Sequence, residues 1–588
     1  MSSLRKGAHI ALCLFTAGSA PAPVFAAPAA VSDGEPTAQA CAKLGYPIPR
    51  TEVEESYIAH RKRRAPYPTA LAYAPPPPPP TPPPAVMMAA PRMGLPFVSA
   101  KPVAPGSTRM AGDVETERYP HATANPIKRT AEEPVSTLSA DVDTAAYANV
   151  RRMLQNGQTP PSDAVRVEEM LNYFDYGYAK PESPDVPFKP SITVTPSPWS
   201  QDRQILHIGL QGYDIPRAEQ PPLNLVFLID TSGSMSSEER LPLARKALNL
   251  LVSQLRPQDH VAMVAYAGSA GEVLAPTSGA QKLKMRCALG ALESGGSTAG
   301  GEGLSLAYEV AQRNFDPKAV NRVILMTDGD FNVGVADPAK LTDFVVEKRK
   351  TGVYLSVYGF GGGNYNDTLM QALAQNGNGT AGYIDTLSEA RKAFRDDFSG
   401  SLFPIADDVK IQVEFNPAQV SEYRLIGYET RLLNREDFNN DKVDAGEVGS
   451  GTSVTALYEI TPAGAQPSSD PLRYGQSMLA ASTGAGDEIA FLKVRYKLPG
   501  QSDSHLISRP IGKSDVAQSA SSAPEATRWA LAVAGFSQKL RHDPWVLDRF
   551  GWKQIYALAD SAKGDDPFAL RAEFLSLVRA AEGPERGE

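Results

Sequence analysis

Hydrophobic and polar positions follow one pattern in the middle of the chain and another pattern after it. Within residues 220–400, uninterrupted apolar runs at 223–229 and 323–326 alternate with stretches of helical periodicity. Apolar runs bounded by polar residues are typical of buried parallel strands, and a regular succession of strands and helices indicates a parallel sheet covered on both faces. After about residue 404 the pattern becomes strict alternation, as at 409–415, which predicts half-buried antiparallel strands.

Together these patterns predict an α/β fold. A doubly wound, mostly parallel sheet at 220–400 is inserted in, or flanked by, a β-rich domain at 405–510. Strands within 185–215 alternate in the same way as that domain, so we expect them to pair with it. Helical segments are predicted at 134–180 and 520–583. The last segment is expected to bury four aromatic residues: Trp529, Phe536, Trp545 and Trp552.

The N-terminal region has the composition of an export signal followed by a tail. Arg5 and Lys6 precede a mostly apolar stretch that ends in a small-x-small pattern. Residues 1–26 are therefore predicted to be a secretory signal, cleaved after Ala26. Residues 27–130 form a tail rich in proline and alanine, in which a polyproline stretch acts as a spacer.

Charge and hydropathy limit the cellular locations and the kinds of partner that we expect for this protein. The formal net charge of −8 argues against a nucleic-acid-binding protein, which usually carries a basic face. After the signal, no stretch reaches about 18 uninterrupted apolar residues, so no further membrane span is expected. We interpret the basic run at 60–64 as a solvated charge run in a disordered tail, with contact to anionic lipid or wall polymer as the alternative. The chain is therefore expected in the periplasm or at the cell surface.

The sequence contains three cysteines. Cys13 leaves with the signal, Cys41 lies in the tail, and Cys287 lies in a helical pattern. In an oxidising compartment Cys41 and Cys287 can form a disulfide, but nothing in the sequence of the tail brings the two residues together. We expect Cys287 to be a buried thiol, with Cys41 free or paired between molecules.

Oxygen-bearing side chains cluster in three predicted loops. Asp230, Ser232 and Ser234 directly follow the first buried strand, and Asp328 follows the second. Thr298 lies in a glycine-rich loop between the two strands. The carboxyl ends of parallel strands meet at one edge of the sheet, where open α/β sheets bind their ligands. Carboxylate and hydroxyl oxygens suit Mg²⁺, so the loops predict a metal site.

This arrangement resembles a von Willebrand factor type A (VWA) domain over residues 223–400. The metal-ion-dependent adhesion site of that family uses D-x-S-x-S, a threonine from a second loop and an aspartate from a third. The resemblance implies that Ser232, Ser234 and Thr298 contact the metal directly, while Asp230 and Asp328 act directly or through water. It implies Mg²⁺ as the ion, with Mn²⁺ or Ca²⁺ as alternatives.

The flanking sequence resembles the bacterial YfbK-like VWA proteins. The resemblance lies in the motifs at 134–144, 147–152 and 166–174, and in Gly427-Tyr428-Glu429 followed by residues 435–441. It covers about residues 134–580. It does not supply a biochemical activity.

Two further motifs have ordinary structural interpretations. A cluster of glycines at 359–363 follows a strand but lacks the full dinucleotide fingerprint, so we expect a loop at the sheet edge near the metal. Asp437, Asn439 and Asp441 are spaced as in a calcium loop, but Lys442 replaces the required glycine. A polar hairpin turn is the preferred interpretation of that segment.

The leading hypothesis is an exported, non-enzymatic protein that uses its metal to engage a carboxylate on a protein partner. A metal-dependent hydrolase is the first alternative. It would need a general base near the ion, and none of the three loops contains a histidine. A structural envelope protein with a purely stabilising metal site is the second alternative.

Overall fold

The structure, a computed structural model, describes residues 36–47, 117–329, 338–363, 365–470, 486–546 and 550–583. The predicted signal and its cleavage point, most of the proline-rich tail, and the basic run at 60–64 lie outside the described residues. All described residues belong to one compact unit.

The described residues form strands and helices throughout. The strands are β1 Lys128–Arg129, β2 Val135–Ser139, β3 Phe188–Pro196, β4 Gln204–Gly212, β5 Leu223–Asp230, β6 His260–Tyr266, β7 Ala270–Ser278, β8 Val320–Thr327, β9 Val353–Phe360, β10 Ala381–Ile384, β11 Pro404–Phe415, β12 Val420–Ile426, β13 Leu432–Leu433, β14 Gly446–Gly449, β15 Ser453–Pro462, β16 Glu488–Lys497 and β17 Ser504–Gly512. The helices are α1 Ala38–Lys43, α2 Ala145–Gln155, α3 Val167–Asn172, α4 Leu241–Gln254, α5 Lys282–Gly290, α6 Gly300–Arg313, α7 Pro338–Arg349, α8 Asp367–Asn376, α9 Leu387–Arg391, α10 Phe398–Leu402, α11 Glu525–Leu540, α12 Trp552–Ser561 and α13 Leu570–Glu582.

The two apolar runs of the central region form neighbouring inner strands of one sheet. Its strand order is β10-β9-β8-β5-β6-β7, and neighbours run parallel except for the antiparallel pair β6–β7. Every residue of β5 and of β8 is buried. Phe227 packs in one cluster with Leu248 of α4, whereas Leu228 packs in another with Leu304 of α6. Because successive strand residues point to opposite faces, helices cover both sides, which confirms the predicted doubly wound sheet.

Strands from both sides of this region build the β-rich part. One antiparallel sheet has the order β1-β12-β15-β4-β3, and the other has the order β13-β2-β11-β16-β17, with β14 also on β11. β4 pairs with β15, and β2 pairs with β11. Side chains of both sheets, including Leu206 and Val413, share one hydrophobic core, so the sheets form a sandwich. The chain thus leaves the sandwich after β4 and returns at β11, which confirms the predicted fold class.

The segment at 134–180, predicted to be helical, also contains a strand. β2 is inserted between β11 and β13, and four of its five residues are buried. Its sequence, Val-Ser-Thr-Leu-Ser, is short and mostly polar, so it carries no clear period. Only its pairing with β11, about 270 residues later, makes it a strand.

The C-terminal helices pack with α2 and α3 into an aromatic-rich core. The Trp529 ring centroid lies 5.2 Å from that of Phe174 and 5.2 Å from that of Phe574. Trp529 and Phe536 are fully buried, as predicted. Trp545 and Trp552 are only half-buried, contrary to the prediction. Trp552 begins α12 at the edge of this core, and Trp545 lies outside α11 and α12, where the Arg424 guanidinium lies over its ring.

Cys41 and Cys287 form a disulfide, with their Cα atoms 5.2 Å apart. The expectation of a buried thiol and a free or intermolecular Cys41 is therefore wrong. α1 packs on α5, and the Tyr46 hydroxyl donates to the Val273 carbonyl of β7, so this segment covers the outer strand of the central sheet. A six-residue helix that sits 246 residues from its partner gives no sequence signal of this contact.

Within the described ranges, none of the helices is both long enough and apolar enough to cross a bilayer.

Candidate metal centre

Asp230 is the last residue of β5, and its carboxylate is fully buried at the carboxyl edge of the central sheet. Its Oδ1 accepts a hydrogen bond from the Ser232 backbone N–H at 2.9 Å. Its Oδ2 accepts from the Tyr266 hydroxyl and from the Thr327 hydroxyl, each at 3.1 Å. Three donors from three different strand ends therefore fix the orientation of this carboxylate.

The two serines of the motif point their hydroxyls at each other. Ser232 Oγ lies 3.1 Å from Ser234 Oγ, although the residues are separated by Gly233. A 3₁₀ turn at Gly233–Ser236 follows β5 and produces this convergence. Ser232 is buried and Ser234 is exposed, so the pair lies between the sheet and solvent.

Backbone hydrogen bonds hold the glycine-rich loop against the serine turn. Gly233 N–H donates to the Gly296 carbonyl at 3.0 Å, and Gly295 N–H donates to the Thr231 carbonyl at 2.8 Å. Gly296 has φ of 83°, a conformation that favours glycine. Thr298, two residues further on, is partly exposed beside this junction.

Asp328 directly follows β8 and is fully buried. Its Oδ2 accepts from Arg240 Nη1 at 2.9 Å, and the same nitrogen donates to the Ser234 carbonyl at 2.7 Å. Sequence reasoning missed Arg240, because it lies ten residues after Asp230 and belongs to none of the three loops. Tyr266 and Thr327 were missed as well, although their positions at strand ends were a usable signal.

The electrostatics of the site match a cation. Burial raises the pKa of Asp230, hydrogen bonds from Ser232 lower it, and the nearby negative charge of Asp328 raises it again. The donors on offer are oxygens: two carboxylates and the hydroxyls of two serines and one threonine. This donor set fits Mg²⁺, Mn²⁺ or Ca²⁺ and is unlike the nitrogen and sulfur sets that zinc prefers. The predicted residues therefore lie on three adjoining loops, with the hydroxyls of Ser232 and Ser234 in mutual contact.

A second carboxylate cluster lies elsewhere and already has its cations. Asp141, Asp143 and Glu169 are buried with their oxygens close together. Arg431 bonds both aspartates, with Nη2 3.1 Å from Asp141 Oδ1 and 3.0 Å from Asp143 Oδ2. Arg166 bonds Glu169 through its Nε and Nη2 atoms. Two guanidinium groups thus offset part of the negative charge of this cluster, which we interpret as a structural ion network.

The calcium-like spacing at 437–441 also has a protein cation beside it. Residues Arg435–Asn439 form a 3₁₀ turn. Lys410 Nζ donates to the carbonyl oxygens of Asp437 at 3.1 Å and of Asn440 at 2.6 Å. The Asp441 carboxylate bonds the Arg495 guanidinium. The segment is a polar turn that Lys410 and Arg495 stabilise through these bonds.

Comparison with protein families gives three matches along the chain. The family model described as "von Willebrand factor type A domain" matches residues 224–396. The model "Uncharacterized protein YfbK, C-terminal" matches residues 400–583. A model described as "von Willebrand factor" matches residues 113–207.

Two individual proteins and one solved structure are similar to parts of this chain. "Uncharacterized protein YfbK" of Escherichia coli (strain K12) is 45% identical over 474 residues, which are 80% of this chain and 81% of that protein. Human "Inter-alpha-trypsin inhibitor heavy chain H3" is 24% identical over 256 residues, 41% of this chain and 28% of that protein. The solved structure "von Willebrand factor type A from Catenulispora acidiphila" is 16% identical, with a TM-score of 0.39, over 69% of this chain and 91% of that one. On the strength of the YfbK relative, the chain belongs to the YfbK family of VWA-domain proteins.

Proposed function

We propose that this protein is exported and non-enzymatic, and that its VWA domain holds one divalent cation with which it engages an acidic group on a protein partner. The ligands are Asp230, Ser232, Ser234, Thr298 and Asp328. Mg²⁺ is the proposed ion, with Mn²⁺ or Ca²⁺ as alternatives. One observation carries the proposal: oxygen donors from three loops lie at one sheet edge, with two hydroxyls 3.1 Å apart between the core and solvent.

The charge of the donor set favours an external carboxylate as the last ligand. Asp230 and Asp328 supply two formal negative charges, and the other three donors are neutral hydroxyls. A divalent ion held in this way stays electrophilic and keeps exchangeable water, which an incoming carboxylate can replace. The exposed position of Ser234 puts that open side toward a partner.

The surroundings of the carboxylates support binding over hydrolysis. A metal-dependent hydrolase needs a general base within reach of the metal-bound water. The Asp230 carboxylate accepts three hydrogen bonds, and Arg240 pairs with Asp328. None of the three loops contains a histidine. The site is therefore built to hold an ion in place and not to move protons.

Two observations support export. The disulfide between Cys41 and Cys287 suits an oxidising compartment, where such bonds form and persist. The N-terminal sequence has the pattern of a secretory signal. The proposed location is the periplasm or the cell surface.

Metal-dependent partner capture tests this function. The immobilised full chain is incubated with envelope extract in Mg²⁺, in EDTA, and in EDTA followed by excess Mg²⁺. Thr298→Ala removes one proposed ligand from a loop outside the core. Thr351→Ala is the matched control, because this exposed residue precedes β9 at the opposite edge of the same sheet.

We expect EDTA to release the partner and Mg²⁺ to restore its binding. Thr298→Ala should weaken capture at least about tenfold, because the loss of one ligand lowers the affinity for the ion. The Thr351→Ala variant should capture like the wild type. Capture that survives both EDTA and Thr298→Ala would place the binding surface elsewhere and reject the metal-dependent function.

A further inference from the structure

The side chain of Arg240 connects the candidate metal site to the glycine-rich loop after β9. Its Nη1 atom donates to Asp328 Oδ2 at 2.9 Å and to the Ser234 carbonyl at 2.7 Å. Its Nη2 atom donates to the Gly362 carbonyl at 2.7 Å. The side chain of Arg240 is 17% exposed and Asp328 is fully buried, so the bond between them is largely shielded from water.

The shape of the loop is adapted to this arginine. Gly361 has φ of 70°, and a Cβ atom there would lie 2.4 Å from Arg240 Nε. Only a residue without a side chain lets the arginine stem lie against the backbone at this point. The glycine cluster at 359–363, expected from the sequence to be an edge loop, is therefore a seat for Arg240.

The other side of the loop contacts Glu117. Gly363 N–H donates to Glu117 Oε1 at 2.8 Å. Arg152 Nη2 bonds both oxygens of the same carboxylate, at 2.8 and 2.9 Å. A continuous set of polar contacts thus runs from Asp328 through Arg240 and the loop to Glu117.

We propose that Arg240 is a positioning residue that competes with the divalent ion for Asp328, and that it couples occupancy of the metal site to the loop at 361–363 and to Glu117. This inference rests on the proposed metal-binding function. A guanidinium and a divalent ion on one carboxylate repel each other, and the shielded position strengthens that repulsion. Ion binding must therefore loosen the bond between Arg240 and Asp328.

The coupling works in both directions. An ion at Asp328 weakens the grip of Arg240, and with it the hydrogen bond to the Gly362 carbonyl. By linkage, whatever pulls the loop or Glu117 away from its present position makes ion binding tighter by the same factor.

Calorimetric titration of Mg²⁺ into the full chain tests the competition. Arg240→Gln removes the positive charge, Arg240→Lys keeps it, and Arg245→Gln is the control. Arg245 lies on α4, which begins directly after Arg240, but its guanidinium bonds the Gly290 carbonyl at 3.1 Å, away from the site. We expect Arg240→Gln to bind Mg²⁺ at least about tenfold more tightly, and the other two to stay near the wild type. A merely structural role of Arg240 predicts the opposite sign, because a loosened site binds the ion less well.

Hydrogen exchange tests the coupling. In the wild type, Mg²⁺ should change the exchange of peptides that contain Gly363, whereas in Arg240→Gln it should not. Gly361→Ala is a second variant that displaces the same guanidinium without changing α4 or its preceding turn. It should also tighten Mg²⁺ binding.

Each outcome decides between the claims. Unchanged or weaker binding in both Arg240→Gln and Gly361→Ala, with normal wild-type binding, overturns the competition and leaves the proposed function intact. Wild-type exchange at Gly363 that ignores Mg²⁺ overturns the coupling. Wild-type heats that persist in Asp230→Ala place the ion elsewhere and overturn both the function and this inference, as does an absence of binding in every variant.

Discussion

Arg151 is predicted to be a main determinant of stability, because its guanidinium joins three parts of the chain. It lies on α2 with 1% of its side chain exposed. It forms ion pairs with Asp385 just after β10, with Glu389 on α9 at 2.9 Å, and with Glu573 on α13 at 3.1 Å. The perturbation is Arg151→Met, which keeps most of the volume and removes the charge.

The expected loss in the free energy of unfolding follows from the two buried carboxylates that Arg151→Met leaves without their guanidinium. Asp385 and Glu389 have side chains only 5% exposed, so both carboxylates stay buried after their shared partner is gone. Breaking a buried pair in this way costs about 3–5 kcal/mol. Glu389 keeps the hydrogen bond from the Tyr173 hydroxyl at 2.8 Å, which offsets a part. We therefore expect a loss of about 3–4 kcal/mol in the free energy of unfolding.

Equilibrium urea unfolding, followed by tryptophan fluorescence, measures this loss. Trp529 packs against Phe574, the neighbour of Glu573, so it reports on the same region. The control is Arg313→Met, because Arg313 is 62% exposed and its pair with Glu272 should contribute at most about 1 kcal/mol. If Arg151→Met loses no more stability than this control, the buried ion pairs of Arg151 do not stabilise the fold.

The same variant should change how stability depends on pH. Burial raises the pKa of Glu389, and the charge of Arg151 lowers it. Without the guanidinium, that pKa rises further, so the native state holds a proton that the unfolded chain has already released. Stability therefore falls as pH rises between the unfolded and the folded pKa, and the deficit of Arg151→Met should be smaller near about pH 5 than near about pH 8.

Three further predictions concern the disulfide, a buried acid and the sandwich. Cys287→Ser should lower the free energy of unfolding by about 2–4 kcal/mol, and a non-reducing digest of the wild type should contain a cross-linked peptide with Cys41. Burial and the charge of Glu429 raise the pKa of Glu168 to about 8. The stability of the wild type should therefore fall as pH rises from about 5 to 8, by at most about 1.4 kcal/mol per pH unit from this group. Glu168→Gln should flatten this pH dependence in urea unfolding. A fragment of residues 405–588 lacks β2 and β4, the partners of β11 and β15, so hydrogen exchange should show no protected core.

Sequence periodicity predicted the strands whose own apolar residues indicate that they are buried. β5 and β8 contain continuous apolar runs, and the two aspartates of the candidate site lie at the carboxyl ends of these strands. Alternation of apolar and polar residues at 409–415 and within 185–215 likewise predicted β11, β3 and β4. β2 was missed because its short polar sequence becomes a strand only between β11 and β13.

Contacts between distant residues were beyond the reach of sequence. Arg240 reaches Asp328 across 88 positions, and Arg151 reaches Asp385 across 234. Charged residues on helices are normally solvated, so no spacing rule distinguishes these two arginines from exposed ones. The disulfide between Cys41 and Cys287 was missed for the same reason: a side chain's partner depends on the tertiary fold.

Calorimetric titration of Mg²⁺ into the wild type and two serine variants measures whether the D-x-S-x-S turn holds a divalent ion. Ser234→Ala removes a proposed ligand that is exposed, so the fold should be unaffected. Ser236→Ala is the matched control, since it lies in the same 3₁₀ turn but outside the D-x-S-x-S pattern. We expect the wild type and Ser236→Ala to bind one Mg²⁺ per chain, and Ser234→Ala to bind it with an affinity at least about tenfold weaker. Equal binding by all three proteins, or no binding by the wild type, would contradict the proposed metal site.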